Sequence, residues 1–138
     1  MEKINTAESA LKIGISNELT KEVTKDNTAS AMGSGLLDVF ATPAMAALME
    51  ETCLKSVQPY LEEGSGTVGT GLTITHVSAT PIGMQVRCVS KLVEVDGRKL
   101  VFDIQAFDDA GLIGQGMHER FIIQNDKFFQ KAQNKVRK

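Results

Sequence analysis

A hydroxyl, a carboxylate and an imidazole stand at three places in this sequence: Thr42, Glu50 and His76. Thr42 precedes Pro43 at the start of a helical pattern, where the free N–H groups and the dipole of a helix favour negative charge. Glu50 follows eight residues later, a little over two turns along the same helix, about 60° beyond Cys53 on a helical wheel. His76 lies on a later strand, facing the same way as the apolar Leu72 and Ile74. Such a set suits acyl transfer: the carboxylate as nucleophile or base, the imidazole as proton carrier, the hydroxyl and helix end favouring an oxyanion. Each residue also has a structural role open to it. Thr42 is a good helix cap, Glu50 fits a solvated helix face, and a lone histidine on an apolar face is often part of the core.

Other chemistries lack their residues. The two histidines, His76 and His118, sit on separate strands with no second nitrogen or sulfur ligand nearby, so no metal site is expected. The glycines of GSGTVGTG precede a strand, whereas phosphate loops lead from a strand into a helix. They suit a turn and a close backbone approach instead. Few aromatics and no basic stripe leave nucleic acid unrecognised. No cofactor is implied.

The elements that must position the three residues can be read from periodicity. Residues 14–24 form a first strand with partial alternation, and 25–35, rich in small and polar types, form a loop. From Thr42 to about Tyr60 runs one amphipathic helix, with Thr42 as cap and Met45, Leu48, Met49, Thr52, Cys53 and Val57 as its buried stripe. Strands follow. In TVGTGLTITHVSAT, Val68, Thr70, Leu72, Ile74 and His76 share a face. Residues 84–95 and 98–107 pair as a hairpin through Asp96-Gly97, and LIGQGMHERFII gives a last strand. A short helix closes the chain at 126–136. A strand, one long helix and four strands joined by tight turns make an α+β domain, a long central helix wrapped by a curved antiparallel sheet. That is the hot-dog arrangement, and its open edge strand would be protected by pairing with a second copy.

The 138 residues fit one domain, 1–138. At 42% hydrophobic and 23% charged, the composition is that of a globular protein, and the net charge of −2 draws neither nucleic acid nor an anionic membrane. No run of 18 apolar residues suggests a membrane span, and the first residues show no secretory signal. Cys53 and Cys88 read as buried small side chains, so the expected compartment is the cytoplasm.

Three segments in order, VFATPAMAALMEETC, PYLEEGSGTVGTGLTITHVSATPIG and GQGMHERFII, resemble the fluoroacetyl-CoA thioesterase family of hot-dog proteins. The resemblance covers residues 14–137 without a large gap. It implies a catalytic set of Thr42, Glu50 and His76, a glycine near the thioester carbonyl at Gly69, and an arginine near the site at Arg120. It also implies an acyl-CoA substrate and a homodimer with active sites between subunits, a tetramer of paired dimers being the alternative. One departure bears on the substrate. The fluoroacetyl-specialised member carries bulky aromatics before the helix, whereas residues 25–39 here hold none, and Leu36 and Leu37 are the nearest apolar candidates. The expected activity is therefore hydrolysis of a general short- or medium-chain acyl-CoA. A non-catalytic acyl-CoA-binding protein is one alternative. An enoyl-CoA hydratase is another, though the D-x-x-x-x-H spacing of that chemistry is missing.

Overall fold

Alternation of apolar and polar residues carries five segments of the chain into one sheet. The computed structural model describes residues 10–136. Its strands are β1 (Ser16–Glu22), β2 (Ser65–His76), β3 (Gln85–Asp96), β4 (Lys99–Asp108) and β5 (Gly111–Gln124). All pairs are antiparallel, in the order β1-β3-β4-β5-β2, so β1 and β2 are the edges. The expected hairpin at Asp96-Gly97 joins β3 to β4, and Gly97 takes the positive φ of 62° that such a tight turn requires.

Among the described residues, helices run over α1 (Ala29–Met32), α2 (Thr42–Val57) and α3 (Asn125–Gln133). The long helix α2 ends at Val57, and Gln58–Tyr60 continue as a 3₁₀ turn, because Pro59 cannot supply the next helical N–H. All six residues expected on its buried stripe are buried, joined by Ser56. Beneath them lie Val86, Cys88 and Leu92 of β3 and Leu100, Phe102, Ile104 and Ala106 of β4, which together form the core. Segment 25–35 is less loop-like than its composition suggests. Thr24 and Asn27 form a reciprocal capping box around a 3₁₀ turn, and Thr28 then caps α1.

Two contacts anchor the start of α2. The Phe40 N–H donates to the Thr80 carbonyl and the Ala41 N–H to the Asn27 carbonyl, each at 2.9 Å. One turn into the helix, fully buried Met45 lies against Gly114 of β5. A Cβ on Gly114 would sit 2.6 Å from Met45 Sδ and 2.8 Å from the Thr75 carbonyl oxygen. Only glycine permits this approach of helix to sheet. Gly114→Ala should therefore lower stability by about 1–3 kcal/mol, the usual cost of overpacking. Urea denaturation reads it directly, and an unchanged midpoint would show that the helix start moves aside freely.

Candidate active site

The helix start differs from expectation in a way that matters for chemistry. The capping position belongs to Ala41, whose backbone is extended and whose methyl cannot accept a hydrogen bond. Thr42 is the first residue inside the helix, so its side chain does not cap it. Its hydroxyl lies instead 2.7 Å from Nδ1 of His76. The remaining free N–H groups of the first turn are left without a side-chain cap, and Pro43 at the second position has none to offer.

His76 is the last residue of β2 and pairs with Gly114, so the contact that seats Met45 also brings Thr42 over the imidazole. The ring is half-buried. Desolvation pushes its pKa below the ordinary 6.5, and the backbone of Ser78 opposes the shift in part. Nε2 is shielded from solvent and makes no hydrogen bond. Beside the pair opens a cavity of about 310 Å³, lined by Ala29, Ser34, Val39 and Phe40 before the helix, Thr42 and His76, and residues 77–79. Leu36, expected to touch substrate, does not line it and is 94% exposed on the loop after α1.

Glu50 is exposed, on a turn of α2 about 12 Å along the axis from Thr42. Within one chain it forms no hydrogen bond with Thr42 or His76. Its charge is felt instead at His118, Arg120 and Cys53. Thr42 and His76 are thus brought together, and Glu50 stands apart.

Strand β2 also departs from a simple alternation. Gly69 pairs with Arg120 and Gly71 with Glu119, leaving Thr70 as the extra residue of a β-bulge. Before the bulge Thr67 and Gly69 face inward, and after it Leu72, Ile74 and His76 do. Val68 and Thr70 therefore do not share the face of His76. Behind Gly69, Arg120 is only 7% exposed. Its Nε and Nη2 donate to Thr67 Oγ1 and the Thr67 carbonyl, at 2.7 and 2.9 Å. Its Nη1 lies 3.0 Å from His118 Nε2, and His118 Nδ1 lies 2.8 Å from the Gly71 carbonyl oxygen. His118 is not among the site residues expected from the sequence, although it belongs to the GQGMHERFII segment that carries the resemblance. Its place two residues before Arg120, on the same face of β5, was the available signal.

Among the described residues no cluster of three or more histidine, cysteine or acidic side chains is placed to hold a metal. No helix there is long and apolar enough to cross a membrane.

Solved structures share the architecture. The fluoroacetyl-CoA thioesterase FlK matches with a TM-score of 0.87 at 34% identity, over 92% of this chain and 98% of its own. A hot-dog-like protein from Thermanaerovibrio acidaminovorans matches at 0.86 and 20% identity, over 95% and 97%, a likeness of fold alone. With its hydroxyl–imidazole pair at the helix start, the protein is a thioester hydrolase of the hot-dog class. Sequence narrows the class further. Residues 23–126 match the family described as fluoroacetyl-CoA-specific thioesterase. The fluoroacetyl-CoA thioesterase of Streptantibioticus cattleyicolor is 43% identical over 99 residues, 72% of this chain and 71% of the relative. The chain belongs to the fluoroacetyl-CoA-specific thioesterase family.

The two imidazoles give the fold a pH dependence of known sign. Burial pushes His118, like His76, below 6.5; its bond to Gly71 opposes this, Arg120 adds to it, and Glu50 and Glu119 oppose it. Between the depressed folded values and 6.5, the unfolded chain binds more protons than the native one. The stability from these neutral rings is therefore present above about pH 6.5 and lost as pH falls below it. The melting temperature should fall between pH 6.5 and 5. His118→Gln should flatten part of that fall, and a parallel profile would deny His118 a share.

Proposed function

We propose that the chain hydrolyses a short- or medium-chain acyl-CoA to the free acid and CoA, with Thr42, His76 and Glu50 as its reacting groups. The observation that carries this reading is the 2.7 Å contact of Thr42 Oγ1 with His76 Nδ1, beside a cavity and an uncapped helix start. Burial keeps His76 neutral near pH 7, so it can take a proton and return it. The Thr42 hydroxyl and the free N–H groups of the first turn of α2 favour the oxyanion that forms at the thioester carbonyl. Glu50 attacks that carbonyl or activates the water that does. The carbon–sulfur bond then breaks, and the departing thiolate takes up a proton; where Glu50 itself attacked, water next cleaves the acyl–Glu50 anhydride, releasing the acid and restoring the carboxylate.

Glu50 needs a further condition. Because it stands about 12 Å along α2 from Thr42, one chain alone does not bring its carboxylate to the imidazole. A homodimer meets this need by completing each site with residues of two chains. The edge of β2 is unpaired among the described residues and carries exposed Gly69, Thr70, Gly71, Thr73 and Thr75, small residues that suit strand-to-strand pairing. We take Gly69 on that edge as the glycine that meets the thioester carbonyl. Free, buried Cys53 and Cys88 suit a reducing compartment, and the cytoplasm is the proposed location.

The substrate proposal rests on the cavity and the loop. About 310 Å³ lies at the small end for ligand sites, which favours a short acyl group. The relative named above acts on fluoroacetyl-CoA. The absence of an aromatic from residues 25–39 supports a wider choice of acyl group here.

Thiol release should be followed with a chromogenic reagent over acyl-CoAs from acetyl to decanoyl, with fluoroacetyl-CoA included. Hydrolysis should favour the short members. His76→Ala and Glu50→Gln should each lower kcat by about a hundredfold or more, as loss of a general acid or base does, with the fold intact by circular dichroism. Near-normal turnover in Glu50→Gln would remove that residue from the mechanism. Tight binding of acyl-CoA without thiol release by the wild type would replace hydrolase with binding protein.

A further inference from the structure

Three exposed residues, Val77, Ser78 and Ala79, carry the chain from His76 to Thr80, which is fully buried. All three line the cavity. Their connection is held at both ends. At the first, the Val77 N–H donates to the Ile113 carbonyl at 2.7 Å, so the chain leaves His76 still tied to β5. At the second, Thr80 engages two partners with two different groups. Its carbonyl accepts the Phe40 N–H at 2.9 Å, and its hydroxyl donates to Asp108 Oδ2 at 2.7 Å. Just beyond, Pro81 bridges Val39.

These bonds close a ring of chain around the reacting pair. One arm runs from Phe40 through Ala41 to Thr42 and into α2, and the other runs from His76 at the end of β2 to Thr80. The arms meet at Thr42 Oγ1 and His76 Nδ1, where the chemistry lies. They meet again at Phe40 and Thr80, where only backbone is engaged. Both arms line the cavity. The second junction therefore sets the spacing of the first. A shift of Thr80 carries Phe40 with it, and Thr42 lies only two residues further on.

Thr80 is in turn oriented by a side chain that does not line the cavity. Asp108 closes β4, and its Oδ1 accepts the N–H groups of Ala110 and Gly111 at 2.8 and 3.2 Å. In such an Asx turn the backbone of the β4–β5 connection aims the carboxylate. The other oxygen is left for Thr80. A buried hydroxyl is costly without a partner, and valine would fill nearly the same space with nothing to satisfy. The hydroxyl thus adds direction rather than volume. We propose that Thr80, oriented by Asp108, is a positioning residue: it holds the two arms at the spacing that brings Thr42 to His76. Its role in catalysis rests on the acyl-CoA reading of the site. The requirement is steep, because a displacement of about 1 Å in a reacting group can cost on the order of a hundredfold in rate.

Thr80→Val removes the hydroxyl and keeps the carbonyl that Phe40 uses, whereas Thr80→Ser keeps both. With the best acyl-CoA of the panel, Thr80→Val should lower kcat about tenfold while KM stays within about threefold, because misplaced reacting groups cost rate rather than ground-state binding. Thr80→Ser should stay within about threefold of wild type in kcat. Asp108→Ala should reproduce the loss from outside the cavity. Combined with Thr80→Val it should add little to either single loss, as partners in one bond behave. Losses that multiply in the double variant would overturn the proposal. So would an unchanged kcat in Thr80→Val, or a change confined to KM. The chain has two histidines, which allow a readout without substrate. In protein carrying isotope-labelled histidine, Thr80→Val should shift the ring-nitrogen resonances of His76 and leave those of His118 in place. An unmoved His76 would dismiss the tether even if hydrolysis is confirmed. Conversely, a shifted His76 in a protein whose wild type cleaves no acyl-CoA would support the tether and reject only the hydrolase. Should Thr80→Val not fold, the kinetics and spectra of Asp108→Ala decide.

Discussion

The close approach of Met45 to Gly114 is the contact on which the site depends. A helix normally stands off a sheet by the depth of two side chains, but at Gly114 one of them is missing. Thr42 lies one turn before Met45, and His76 is the cross-strand neighbour of Gly114. A single missing Cβ therefore fixes the height of the helix start above the strand end. The hydroxyl and imidazole come within 2.7 Å as a result of this packing, together with the Phe40 and Ala41 backbone bonds that anchor the helix start.

The sheet divides its work between its two sides. β3 and β4 give α2 an apolar floor of Val86, Cys88, Leu92, Leu100, Phe102, Ile104 and Ala106, which needs only volume and alternation. β5 and β2 instead place a buried arginine, a histidine and Thr67 under the helix. Buried polar groups are tolerable when their bonds are made, and those bonds specify one geometry more narrowly than apolar contact does. The dividing line passes through His118, which pairs with Phe102 on one flank and Leu72 on the other.

Much of this was legible in the residue pattern. The buried stripe of α2 followed from helical spacing, and the β3–β4 turn from Asp96-Gly97, because both signals are local and unopposed. Three features were not legible. Thr42 looked like a cap because threonine before proline usually is one, yet the helix begins one residue earlier and releases its hydroxyl. The face of Val68 and Thr70 departs from simple alternation because a bulge changes strand parity, and only glycines on either side hint at it. The separation of Glu50 from His76 depends on how helix and strand cross, which no spacing along the chain encodes. Resemblance placed Thr42 and His76 in one site, and the structure shows the contact. Resemblance also placed Arg120 near the site, but gave no sign that its partners are backbone and imidazole.

The uncapped start of α2 has a consequence for how this protein can change. A serine in place of Ala41 could cap only the Ala44 N–H, since Pro43 lacks one, and a helix cap commonly adds about 1 kcal/mol of stability. In the proposed mechanism that same N–H is one of the donors left to meet the charge of the oxyanion. Thermal robustness and transition-state polarity therefore compete for one hydrogen atom. In selection for heat resistance alone, position 41 is where a gain would be found early and activity surrendered with it.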